Sequence, residues 1–156
     1  MNNNIRFATV DDIDTIINFI RGIAKYEKLE HQVKLQKEEL TKYLFGDRPM
    51  AEVLLLEIDN QEVGFALFFH NFSTFEGRPG LYLEDLFVLP EYRGNGLGKL
   101  ALKKLASIAR ERNCARFEWI CLDWNTPSIE FYEKQGAQAK KEWIIFRMDG
   151  EQLENY

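Results

Sequence analysis

Cysteine is scarce in this 156-residue chain. Cys114 and Cys121 are its whole complement, too few for the disulfide framework that small secreted folds depend on. No tract rich in proline, serine or glycine marks a linker, and no internal repeat is present. No apolar run approaches the ~20 residues that a membrane-spanning helix needs. The start, Met1-Asn-Asn-Asn-Ile-Arg-Phe7, lacks the basic-then-apolar pattern of a leader. Positive charge is also short, with 20 Lys+Arg against 25 Asp+Glu and a net charge of −5. That balance argues against a nonspecific nucleic-acid binder and suits cationic partners. Membrane, secreted-scaffold and disordered classes are thereby excluded, and a cytoplasmic protein with neither nucleic acid nor membrane as partner is expected.

What is present is an ordinary globular composition, 46% hydrophobic and 29% charged, at a length that suits one domain over residues 1–156. Residues 5–8 read as a first strand. Thr9-Val-Asp-Asp12 then has the form of a capping box. Ile13, Ile16, Ile17, Ile20 and Ala24 follow at helical spacing on one face. A shorter helix is predicted over 35–45, stopped by Gly46 with Pro49 close behind. Residues 53–58 and 63–72 form a hairpin about Asp59-Asn60-Gln61. Phe65-Ala-Leu-Phe-Phe69 is apolar on both alternating sets and should be covered on both faces. Strands are further predicted over 81–88, 116–122 and 143–148. Helices are predicted over 97–112 and from Asn125 to Gln135, where Asn125 caps and Pro127 sits in the first turn. The order describes an α/β domain with one mixed sheet flanked by helices.

The stretch that carries chemistry is Tyr82-Leu-Glu-Asp-Leu-Phe-Val-Leu-Pro-Glu-Tyr-Arg-Gly-Asn-Gly-Leu-Gly98. Gly94, Gly96 and Gly98 lie between a strand and a helix and expose backbone amides at the helix N-terminus, where the dipole favours phosphate oxygens. Arg93 adds a fixed positive charge. Two nucleotide motifs fail on spacing. A dinucleotide fingerprint counted from Gly94 requires glycine where Lys99 stands. A P-loop ending at Gly98-Lys99 requires glycine at Arg93 and Ser or Thr at Leu100. A glycine-rich connection that binds nothing remains the alternative on the glycines alone.

Arg93-x-x-Gly96-x-Gly98 after an apolar strand resembles the acetyl-CoA pyrophosphate loop of the GNAT superfamily of N-acetyltransferases, and the element order above is similar to that family's along nearly the whole chain. Three stretches resemble its spermidine/spermine N-acetyltransferase branch: Ala24-Lys-Tyr-Glu27, the Tyr82–Gly98 segment, and Asp123-Trp-Asn-Thr-Pro-Ser-Ile-Glu-Phe-Tyr132 leading to Gly136-Ala137. The resemblance implies the GNAT fold with a mostly antiparallel sheet, acetyl-CoA as co-substrate, and a homodimer. It implies a cofactor surface made by Leu86, Phe87 and Val88, by Arg93, Gly94, Asn95, Gly96, Leu97, Gly98 and Lys99, and by Asn125, Ser128 and Tyr132. Tyr132 is implied as the general acid at the CoA sulfur, and Glu84 as the carboxylate that binds the amine or relays its proton. Tyr26 and Glu27 fall at the polyamine-contacting position on the first helix.

Each role has a plainer reading. Successive strand residues face opposite sides, so only one of Glu84 and Asp85 is expected in the cleft, and Asp85 is assigned a structural role. An aromatic such as Tyr132 on a helix is usually core, and Asn125 and Ser128 can be simple capping residues. Glu118 and Trp119 line the acceptor cleft or merely pack. His31 and His70 have no ligand spacing, so no metal is expected. The acceptor is a small cationic amine: a diamine, a polyamine, or a thialysine- or lysine-like amino acid. Gln138-Ala-Lys-Lys141 departs from the acidic segment of polyamine-acetylating members and puts spermine and spermidine in doubt. A non-catalytic acyl-CoA-binding module and a protein or peptide N-acetyltransferase are the rival functions. The apolar Trp143-Ile-Ile-Phe146 would edge a dimer interface or lie within the sheet.

Overall fold

The structure, a computed structural model, describes residues 1–156 as two units, Met1–Ile120 and Cys121–Tyr156. The first holds a five-stranded sheet whose spatial order follows the sequence: β1 (Asn3–Phe7), β2 (Glu52–Ile58), β3 (Gln61–Ser73), β4 (Arg78–Val88) and β5 (Phe117–Trp119). The first four are antiparallel neighbours, and β5 runs parallel to β4. This is the mixed, mostly antiparallel sheet the sequence predicts. Three helices accompany it: α1 (Ile13–Glu27), α2 (Lys37–Phe45) and α3 (Leu97–Glu111).

Local chemistry explains the elements. Asp59 and Asn60 both take left-handed φ angles, 50° and 66°, as a two-residue hairpin turn between twisted strands requires. At the first helix, the Asp12 carboxylate accepts from the Thr9 backbone N–H at 2.8 Å, the return half of a capping box. On α1 the buried stripe includes Phe19 beside Ile13, Ile16, Ile17 and Ala24. Phe19 stacks on Phe65, with ring centroids 5.7 Å apart.

Alternation along β2 divides the core. Val53 and Leu55 join Phe65, Leu67 and Phe87 under α1 and α2. Leu56, Ile58 and Val63 pack instead with Leu97 and Ala101 of α3. Both alternating sets are therefore buried, as a sheet flanked by helices on two faces demands. No helix is long and apolar enough to cross a membrane.

One polar cluster ties the first three strands together. Glu57 is buried on β2, where its carboxylate receives Arg6 Nε at 2.6 Å and Asn4 Nδ2 at 2.8 Å. The same guanidinium reaches Asp12 at 2.9 Å and Glu62 at 3.0 Å. Hydrogen bonding from Arg6 holds the Asp12 carboxyl well down, at about 2.

The second unit contains α4 (Thr126–Lys134) and α5 (Gly150–Glu154). The strand predicted over 143–148 is not formed: these residues have no regular structure, and Trp143, Ile144 and Phe146 are 78%, 77% and 91% exposed. A strand needs a partner ladder, and this unit offers only helices. β5 is likewise shorter than predicted, three residues in place of seven.

Replacing Arg6 with Met should lower unfolding free energy by about 2–3 kcal/mol, because Glu57 stays buried with only Asn4 as partner. Urea unfolding checks this. The stabilisation from Asp12 is present above its unfolded-state value and lost as pH falls toward 2, so the difference between the two proteins should shrink in acid.

Candidate active site

The ladder between β3 and β4 contains an irregularity at its centre. Leu67 stands opposite Asp85 and Phe68 opposite Leu83, leaving Glu84 without a partner. Such a bulge inserts one residue and interrupts the alternation of side chains. Glu84 and Asp85, though adjacent, therefore line the same cavity together with Glu27 from the last turn of α1. The bulge removes the strict alternation on which the expectation of a single cleft-facing acid rested, and Asp85 lines the cavity beside Glu84. The cavity holds about 370 Å³. Ile20 and Ile23 contribute apolar wall from α1, and the α1–α2 connection from Leu29 to Leu35 closes another side.

Three carboxylates facing one space repel one another and lose hydration, and the effect concentrates on the least exposed. Asp85 is half-buried whereas Glu84 is exposed. Burial, followed by the charges of Glu84 and Glu27, pushes the Asp85 carboxyl up to about 7. Burial also raises Glu27. None of the three forms an ion pair with the protein. The site is thus prepared for a positively charged group, with a proton acceptor poised near neutrality.

Gly22 fixes the helix against this strand. A Cβ at Gly22 would lie 2.7 Å from Phe87 Cζ, so the Phe87 ring of β4 packs directly against the α1 backbone. Tyr26, one turn on, is partly exposed and lies 5.0 Å beneath the Arg93 guanidinium, which also stands 5.6 Å over Phe87. Arg93 Nε donates to the Val88 carbonyl at 2.8 Å. One cation therefore joins the acceptor-side helix to the end of β4.

Beyond Arg93, Gly94 and Gly96 take φ angles of 80° and 79°, and an added Cβ at either would meet nothing within 4 Å. Their conformation, not packing, requires glycine. Leu97, 1% exposed, anchors the first turn of α3. The first in-helix bond runs from Leu100 N–H to the Gly96 carbonyl, so the N–H groups of Leu97, Gly98 and Lys99 remain free donors at a positive helix end. Asn95 is occupied internally, donating to the Tyr92 carbonyl at 3.0 Å. The parallel ladder to β5 ends at Leu83 and Trp119, so Leu86, Phe87 and Val88 continue past it. This combination of open amides, Arg93 and the far stretch of β4 suits a long phosphorylated ligand with a polar, amide-bearing arm.

Glu118 and Trp119 do not line the carboxylate cavity. Asn71 donates to Glu118 at 2.9 Å and Arg116 pairs with it at 3.1 Å, which accounts for it as a structural ion pair. Trp119 packs on Phe117, with ring centroids 4.8 Å apart. In the second unit, Asn125 is buried and its Oδ1 accepts from Ser128 N–H at 3.4 Å, so capping is one of its tasks. Tyr132 is half-buried beside Phe131. It occupies the last turn before Gly136, whose left-handed φ of 92° ends the helix, and Ala137 N–H returns to the Tyr132 carbonyl at 3.2 Å.

Sequence reasoning missed Asp85 because the bulge carries no glycine or proline to mark it. Two adjacent acids in an apolar run were the available signal.

The model of the Acetyltransferase (GNAT) family matches residues 14–137. The chain is 38% identical to the thialysine N-epsilon-acetyltransferase of Mus musculus over 160 aligned positions, 96% of this chain and 94% of that one. It is 32% identical to an L-ornithine N5-acetyltransferase of Arabidopsis thaliana, over 99% of this chain and 87% of the other. Among solved structures, an integron cassette protein of V. cholerae superposes with a TM-score of 0.82 at 26% identity, covering 99% of this chain and 97% of its own.

Replacing Asp85 with Asn tests the crowding of charge. A carboxyl raised in the folded state keeps its proton better there than in the unfolded chain, so it costs stability progressively as pH rises from about 4 through 7. Asp85→Asn should match the parent near pH 4 and exceed it at pH 8 by on the order of 2 kcal/mol, measured by denaturant unfolding at the two pH values.

Proposed function

Because this chain belongs to the GNAT family of acetyltransferases, we propose that it transfers the acetyl group of acetyl-CoA to the primary amine of a small cationic acceptor, by direct attack in a ternary complex. The family implies acetyl-CoA as co-substrate. The observation that carries the acceptor half is the cavity lined by Glu27, Glu84 and Asp85 with no cation of the protein paired to them.

The chemistry follows from that arrangement. An acceptor binds as an ammonium, which the carboxylates attract. It must lose a proton before its nitrogen can attack the thioester carbonyl carbon. Asp85, raised to about 7, and Glu84 are the acceptors for that proton, directly or through water. As the carbon–nitrogen bond forms, charge gathers on the carbonyl oxygen, and the Val88 backbone amide, on the side of β4 turned away from β3, is assigned to receive it. The carbon–sulfur bond then breaks, the Tyr132 hydroxyl gives its proton to the departing thiolate, and the surplus proton on the new amide nitrogen leaves through solvent, which returns one to the Tyr132 oxygen. Gly94 to Lys99 with Arg93 are assigned to the pyrophosphate, and Asn125 and Ser128 to the pantetheine or phosphate end. Tyr26 is assigned to the acceptor side. The whole of residues 1–156 is read as one acyltransferase domain, a reading supported by a family match that runs through both units.

The acceptor includes the class named for the relatives, thialysine and ornithine, beside diamines and polyamines. A homodimer is supported by the exposed apolar residues 143–146, which need a ladder from elsewhere to form the strand their sequence favours.

Purified protein with acetyl-CoA and an amine panel should release CoA thiol, and absence of release with every amine would refute the enzyme reading. Tyr132→Phe should cut turnover roughly 10- to 100-fold while calorimetric acetyl-CoA affinity changes little. Equal losses in both would remove the acid assignment. Light scattering should give twice the 18.4 kDa chain mass.

A further inference from the structure

The cavity that holds the three carboxylates also holds one cation. Lys34 lies on the wall formed by the α1–α2 connection, between Val33 and Leu35, which line the same space. It forms no ion pair with the protein; its neighbour along the chain, Lys37, is instead the partner of Asp14 at 2.9 Å. Glu84 and Asp85 come from β4 and Glu27 from α1. The charges are therefore sorted by element: acids on the helix and strand, the base on the connection.

That sorting selects among acceptors. A polyamine or simple diamine that placed one ammonium among the acids would bring a second positive centre into a cavity where Lys34 already stands, at a Coulombic cost. A basic amino acid carries the same two ammonium groups but sets a carboxylate beside the distal one, which offsets that charge and can pair with Lys34. Glu27 and Asp85 are half-buried whereas Glu84 and Lys34 are exposed, so discrimination rests on the Coulombic match of each end to its own wall, a mismatched end being repelled as well as unpaired. Gln32, on the same connection, offers an amide to the same carboxylate.

We propose that Lys34 is a specificity-determining residue that receives the carboxylate of the acceptor, so that this enzyme acetylates the side-chain amine of a zwitterionic basic amino acid. The proposal rests on the N-acetyltransferase reading and narrows its acceptor class.

The test uses matched pairs that differ only by the carboxylate: L-lysine against 1,5-diaminopentane and L-ornithine against 1,4-diaminobutane, each with acetyl-CoA. The full-length protein should favour the amino acid of each pair by kcat/KM. Lys34→Met should lower the amino-acid-to-diamine ratio roughly 10-fold, and Lys34→Glu should lower it further. Lys34→Arg should restore most of it. Urea midpoints for all three variants report on folding. A ratio that Lys34→Met and Lys34→Glu leave unmoved overturns the proposal, as does a parent protein that favours the diamines. A parent that turns over no amine overturns the acetyltransferase reading itself, a result distinct from an unmoved ratio.

Discussion

The pairing of β3 with β4 is the constraint on which the first unit depends. These are its longest strands, thirteen and eleven residues, and both helical layers pack on side chains that they supply. Their register is set by alternation: a slip by one residue would send Phe65 and Leu67 to the opposite face. The bulge at Glu84 is the one place where the ladder gives up a pair, and two of the three cavity carboxylates lie there. A fully regular ladder would have turned one acid into the apolar layer. The irregular one places both in a single cavity and accepts their repulsion.

Charge organises the rest of the unit. Overall acidity conceals three arrangements that differ in purpose. Glu57, Asp12 and Glu62 surround Arg6 and are neutralised within the protein. Glu27, Glu84 and Asp85 have no such partner and concentrate negative charge on one cavity. Arg93 and the free amides at the start of α3 present the opposite sign. Of the three, only the Arg6 cluster neutralises its charges within the protein.

Much of this was legible in the sequence, for physical reasons. Helices with a single apolar stripe, the hairpin at Asp59-Asn60 and the doubly buried β3 depend on local periodicity and turn chemistry, which a sequence displays directly. The glycine loop was legible because left-handed φ and open approach restrict residue choice at Gly94 and Gly96. The position of Asp85 was not, because it follows from a pairing irregularity between segments that a sequence lays out separately. For Glu118, read from sequence as either lining the cleft or packing, the contact with Asn71 of β3 was not legible, because the two residues become neighbours only when β5 joins the sheet. The segment 143–148 has strand composition yet no strand in its own unit, since composition supplies a preference for a ladder and not the ladder.

The close approach of α1 to β4 at Gly22 bears on how such a protein can diversify. An added Cβ at position 22 would press on the Phe87 ring, so the spacing of α1 from β4, and with it that of Glu27 from Glu84 and Asp85, is set through this ring contact. The α1–α2 connection has no comparable restraint: Gln32 is exposed, Val33 and Leu35 are half-buried, and Lys34 is exposed. The two walls of one cavity thus differ in how freely they can vary. The acid wall is constrained by the packing of α1 on the Phe87 ring, while the wall facing it can exchange residues singly, so one side of the cavity can change its chemistry while the other keeps its spacing.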